Sequence, residues 1–123
     1  MAGTIVADTI QDGAGNSTAM DNAIYGSAKA WVQFVGSTGA VNASYNVSSV
    51  TRTGTGAYTV NFTNAFADTK YAWNCAAGNA NTTNYLMCQY GTTLSTTAIS
   101  FNTYSFSGGA SSDVSYNCVT VFR

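Results

Sequence analysis

From residue 30 onward the chain repeats one pattern: short runs in which aromatic or β-branched residues alternate with polar ones, separated by clusters of Gly, Asn, Ser and Thr. Period-two alternation places successive side chains on opposite faces of a strand, and turn-forming clusters at this spacing predict an all-β, antiparallel β-sandwich or barrel-like domain. The first run, 30–35, sends Trp31, Gln33 and Val35 one way and Val32 and Phe34 the other, with both faces expected to be at least partly covered and Trp31 in the core. A second run, 43–51, puts Tyr45 and Val47 on one side. Thr53-Gly54-Thr55-Gly56 then supplies glycines for a tight reversal into Tyr58, Val60 and Phe62, the clearest hairpin in the chain. Tyr71, Trp73 and Cys75 alternate with Ala72, Asn74 and Ala76; through the polar connection 78–83 they predict a second hairpin with a strand at 85–90. Two further strands are expected: 97–104 with Ile99 and Phe101 inward, and 114–122 with Val114, Tyr116, Cys118, Thr120 and Phe122 on one face. No stretch carries a helical stripe.

Residues 1–29 break this pattern. They contain Gly13, Gly15 and Gly26 and one short apolar run, Ile5-Val6-Ala7, too little to form a core alone. The chain therefore divides into an N-terminal attachment segment or arm, 1–29, and a β-rich domain, 30–123. Such a segment becomes ordered by packing on identical segments around a symmetry axis or on another protein, with Ile5, Val6 and Ile10 as its attachment residues.

Composition narrows the chemistry. The 123 residues include no His, Glu or Pro, four basic and five acidic side chains, and a charged fraction of 7% where roughly 25% is usual. Few groups exchange protons near neutral pH, so acid–base or nucleophilic catalysis has little to work with, and the function is expected in a surface. A surface of neutral hydroxyls and amides repels its own copies weakly and suits a component of a large assembly. Net charge is −1 with Lys29, Arg52, Lys70 and Arg123 dispersed, which removes the footprint of a nucleic-acid binder. No run is long enough for membrane insertion, and the first residues lack the basic and apolar regions of a secretion signal. Cys75, Cys88 and Cys118 lack CxxC spacing and read as buried thiols.

The segments Lys29-Ala30-Trp31-Val32-Gln33-Phe34, Ala43-Ser44-Tyr45-Asn46-Val47-Ser48-Ser49-Val50-Thr51-Arg52 and Gly54-Thr55-Gly56-Ala57-Tyr58-Thr59-Val60-Asn61-Phe62, with Ala67-Asp68-Thr69-Lys70-Tyr71, resemble a β-rich domain of bacteriophage tail fibres and other minor virion proteins, especially of marine and cyanobacterial phages. Gly3-Thr4-Ile5-Val6-Ala7-Asp8-Thr9-Ile10 is similar to the beginning of such proteins. The resemblance covers about three quarters of the chain. It implies a virion structural protein, a homotrimer, that binds other virion proteins through its N-terminal segment and meets a host surface glycan or protein. A short tail fibre or fibre tip is the first expectation; a capsid fibre or decoration protein is the alternative. The long shaft of a complete fibre is absent from the chain.

Sugar rings stack their C–H faces on aromatic rings while Asn, Ser and Thr satisfy hydroxyls, so the receptor-binding candidates are Asn79, Asn81 and Tyr85 on one loop and Phe106 on another. Asp68 and Asp113, the acids of the β-rich part, would need to converge to serve glycoside hydrolysis, whereas each lies where Asp commonly bonds to local backbone. Asp8, Asp12 and Asp21 are too irregular for a calcium loop, and neither a metal nor a cofactor is expected.

Overall fold

The computed structural model describes residues 3–78, 86–105 and 109–123, without the side chains of 86–93 and 105. Its body is two antiparallel sheets packed face to face. The first contains β3 (Ala28–Phe34), β4 (Val41–Tyr45), β7 (Ala72–Gly78) and β10 (Tyr116–Phe122), in the order β4-β3-β10-β7. The second contains β5 (Val47–Gly54), β6 (Ala57–Phe62), β8 (Leu86–Leu94) and β9 (Ala98–Ser105), in the order β5-β6-β9-β8. Ahead of them, β1 (Thr9–Gln11) and β2 (Ser17–Ala19) form a small hairpin that leads into helix α1 (Met20–Gly26).

The alternation seen in the sequence becomes the core. Ala30, Val32 and Phe34 on β3 and Val119 and Val121 on β10 face Tyr58, Val60 and Phe62 on β6 and Ile99 and Phe101 on β9, all buried. Phe34 meets Tyr58 edge-on across the layers at 5.1 Å between ring centres, and Tyr58 lies 5.5 Å from Phe101. A second aromatic group, Phe62, Phe66 and Tyr71, closes the other end, with Phe62 and Phe66 4.8 Å apart. Each such ring contributes about 1.5–3 kcal/mol through burial alone. The expected hairpin at Thr53-Gly54-Thr55-Gly56 is present as β5–β6. Its Gly56 has φ +65°, and a Cβ there would lie 2.6 Å from the Thr103 carbonyl, so both conformation and space require glycine.

Four expectations change. The run 43–51 is two strands in different sheets, parted at Asn46, whose φ of 54° turns the chain from one layer to the other. Asn tolerates this left-handed conformation, and the side chain secures it: Nδ2 donates to the Lys29 and Asn64 carbonyls, and Oδ1 accepts from the Asn64 N–H. The proposed hairpin between 71–76 and 85–90 does not form. β7 pairs instead with β10 in the first sheet, from Tyr116↔Gly78 to Phe122↔Ala72, while β8 pairs with β9 in the second. That placement lets Trp73 reach across the layers to Phe101, 5.9 Å between ring centres, which a strand in the sheet of Phe101 could not do. Trp31 is not in the core: it is 40% exposed, because Val32 and Phe34 take the inward phase of β3. On β10 Tyr116, Cys118, Thr120 and Phe122 share a face, the outer one, while Val114, expected on that face too, lies before the strand and is buried, as are Asn117, Val119 and Val121.

The short helix was also unforeseen, since seven residues are too few for a period of 3.6 to register. The thiols divide as well. Cys118 is free and exposed, Cys75 is disulfide-bonded, and the side chain of Cys88 lies outside the described residues. The two seams, β4 beside β5 and β7 beside β8, carry no ladder, so the sandwich is not a closed barrel.

Candidate functional site

The N-terminal segment is surface throughout. None of residues 3–29 is buried, and among the described residues Ala30 is the first buried one. Ile5 is 86% and Val6 93% exposed; Ile10, Ile24 and Tyr25 are exposed too. Local polar bonds hold its shape. Asp12 Oδ1 accepts from the Ala14 and Asn16 N–H groups at 2.9 Å and Oδ2 from Asn16 Nδ2 at 2.8 Å, closing the β1–β2 turn. The Asn16 side-chain amide, then its backbone N–H, holds the Asp12 carboxyl below its ordinary range. That carboxylate is occupied by the turn, and among the described residues no three His, Cys, Asp or Glu side chains gather as a metal site. Ile5, Val6, Met20 and Ile24, with Asp8 and Asp21, line an open groove within the segment.

Asp68 and Asp113 do not converge. Asp113 precedes β10, and Asp68 pairs with Arg123 just after it, 2.5 Å between Nη2 and Oδ2. The seven residues of β10 therefore separate them by about 20 Å. Asp68 also caps a local turn by accepting from the Lys70 N–H at 2.8 Å, as its sequence context predicts, and that bond and Arg123 lower its pKa. Asp113 instead gathers distant groups. Oδ1 accepts from Arg52 Nε at 3.0 Å, the Gly56 N–H at 2.9 Å and the Tyr58 hydroxyl at 3.0 Å, and Oδ2 accepts from Arg52 Nη2 at 2.5 Å. Arg52 first, then Gly56 and Tyr58, lowers its carboxyl to about 2, against the cost of burial. Burial and the neighbouring Asp113 raise the Tyr58 phenol. Every oxygen of this carboxylate is engaged, which is the chemistry of a structural clamp joining β5, β6 and the segment before β10.

Asn79, Asn81, Tyr85 and Phe106, the sequence candidates for receptor binding, lie outside the described residues. What the structure adds is a contrast between the two outer faces. On the second sheet, Thr51, Thr59 and Ser100 form one cross-strand row and Ser49, Asn61 and Ala98 another. Their polar atoms largely bond to each other: Thr59 to Ser100 at 2.9 Å, and Asn61 Nδ2 to Ser49 at 3.0 Å and Thr51 at 3.3 Å. On the first sheet the corresponding rows are Tyr45, Trp31, Thr120 and Asn74, then Ala43, Gln33, Cys118 and Ala76. Neither row carries a charge. Tyr45 is 58% exposed beside Trp31, and Tyr116 is exposed further along β10. Sequence reasoning missed this face because it assigned Trp31 to the core, although the same alternation that buries Phe34 turns Trp31 outward.

No protein-family model, no curated protein and no solved structure matches this chain. Among the described residues no helix is long and apolar enough to cross a membrane.

Proposed function

We propose that the chain is a structural attachment protein of a bacteriophage virion: a homotrimeric short tail-fibre or fibre-tip component that docks on the particle through residues 1–29 and presents its β-sandwich to the host surface, without catalysis. One observation carries this reading. The segment exposes Ile5, Val6, Ile24 and Tyr25 and none of its described residues is buried, so its apolar surface is matched to a neighbour's. Covering such surface contributes about 25 cal/mol per Å², enough for a short segment to hold a protein on a particle when several copies act together. The sandwich needs no contribution from the segment to fill its core. The resemblance of residues 29–34, 43–52, 54–62 and 67–71 to phage fibre domains, and the low charge of the chain, support the same assignment.

Symmetry-free cryo-electron microscopy of the intact particle tests it. Density at the distal end of the tail supports the fibre-tip reading, density spread over the capsid supports the alternative of a capsid fibre or decoration protein, and absence from the particle overturns both. Light scattering on the purified chain checks the trimer as a mass three times 12.8 kDa.

A further inference from the structure

We propose that the outer face of the first sheet is a platform for a neutral polysaccharide, with Trp31 and Tyr45 as stacking rings and Gln33, Asn74 and Thr120 as partners for sugar hydroxyls. This names a ligand class for the host-recognition reading and rests on it, but it moves the binding surface from the loops to the sheet.

Geometry makes the face continuous. Tyr45 lies directly opposite Trp31, Trp31 opposite Thr120, and Thr120 opposite Asn74. Directly opposed residues point to the same side with Cβ atoms about 5 Å apart, and four strands at about 4.8 Å spacing give a row about 14 Å long. The row runs from two aromatic rings at the β4 edge to a hydroxyl and an amide toward β7. Gln33, exposed in the next row, adds a second amide beside Trp31. Ala43, beside Tyr45 on β4, is short enough to let a flat ligand approach the rings.

Chemistry selects the occupant. Pyranose C–H faces stack on aromatic rings, and hydroxyls need neutral donors and acceptors beside them; both are present here and are not tied up as they are on the second sheet. Neither row holds a cation or a carboxylate, so these two rows suit a neutral glycan better than a charged one. A protein partner is better served elsewhere. The N-terminal segment exposes aliphatic Ile5, Val6 and Ile24, whereas these rows contain no Leu, Ile, Val or Met. Aromatic rings joined to amides, without aliphatic side chains, suit a sugar more than a second copy of the chain.

Affinity electrophoresis of the full chain in gels containing dextran, mannan, β-glucan or galactan, with heparin as the charged comparator, tests this. The expected result is retardation in at least one neutral gel and none in heparin. Trp31→Ala and Tyr45→Ala should each weaken retardation about tenfold, the loss of one stacked ring, while Thr51→Ala on the outer face of the second sheet leaves it unchanged. If Trp31→Ala does not fold, Gln33→Ala and Asn74→Ala, both exposed, carry the test with a threefold or larger loss, roughly one hydrogen bond. Sedimentation velocity on the same variants should show unchanged mass. Absence of retardation in every neutral gel overturns the platform, as does a fall in mass on Trp31→Ala, which would make the face an interface between copies. Neither result bears on where the protein sits on the particle, so failure here and failure of the virion reading are separable.

Discussion

Arg52 and Asp113, 61 positions apart in sequence, meet in a two-pronged ion pair, Nε to Oδ1 at 3.0 Å and Nη2 to Oδ2 at 2.5 Å. Arg52 is on β5 at the edge of the second sheet, and Asp113 leads into the central β10 of the first, so the pair ties the two layers at one end of the sandwich. It is partly screened by water, with the two side chains 31% and 22% exposed. Its strength lies more in the Gly56 N–H and Tyr58 hydroxyl that share the carboxylate than in Coulomb attraction.

Acid should loosen this clamp. The folded Asp113 carboxyl is lowered from an ordinary 3.8 to about 2, so its contribution is fully present above about pH 4 and is lost as pH falls from 4 toward 2. Asp113→Asn should lower stability at pH 7 by about 1–3 kcal/mol and flatten the stability profile across that window. Urea unfolding from pH 2 to 7 checks it; an unchanged acid slope in the variant would place the sensitivity on other carboxylates.

Tyr58 separates packing from hydrogen bonding. Tyr58→Phe keeps the ring against Phe34 and Phe101 and removes the hydroxyl that donates to Asp113 and lies beside Thr103 and Asn117, so the expected cost is about 1 kcal/mol. Phe101→Ala empties the centre of the core and should cost about 3–5 kcal/mol. Chemical denaturation should reproduce that ranking, and equal costs would show that the hydroxyl matters as much as the ring.

The layer change at Asn46 can be tested by two substitutions. Asn46→Gly keeps the positive φ and loses the side-chain bonds, for about 1–2 kcal/mol. Asn46→Val loses the bonds and also strains the backbone, so it should cost at least about 1 kcal/mol more. A thermal melt in which valine equals glycine would refute the conformational argument.

Thiol titration distinguishes the cysteines. With Cys75 oxidised and Cys118 exposed and free, a thiol reagent should label Cys118 and not Cys75 in the native protein, and the reduced, unfolded protein should react three times, matching the three cysteines of the chain. Three reactive thiols before reduction would mean that Cys75 is not oxidised in the purified protein.

Removing residues 1–27 should leave the melting temperature of the sandwich within about 2 °C, since none of residues 3–27 is buried, and should abolish incorporation into particles. A collapse of the melting temperature would instead make the segment part of the fold.

The period-two alternation by itself determined the class of fold, the grouping of Tyr58, Val60 and Phe62 on one side, the inward pair Ile99 and Phe101, and the hairpin at Gly56, because each depends on neighbours within a few residues; it also put Val32 and Phe34 on one side of β3 without deciding which side is inward. Only the tertiary structure decided which sheet each strand joins. Asn46 splits one apparent strand into two layers, and β7 leaves its sequence neighbour β8 to pair with β10, which sets Trp73 across the layers from Phe101. Pairing likewise decided what faces outward together. Tyr45, Trp31, Thr120 and Asn74 come from four separate runs, and alternation within one strand says which residues share a side but not which strand lies beside it. Asp113 shows the same division: its place beside a Gly/Ser loop is local, while Arg52, Gly56 and Tyr58 reach it only once the two sheets have packed.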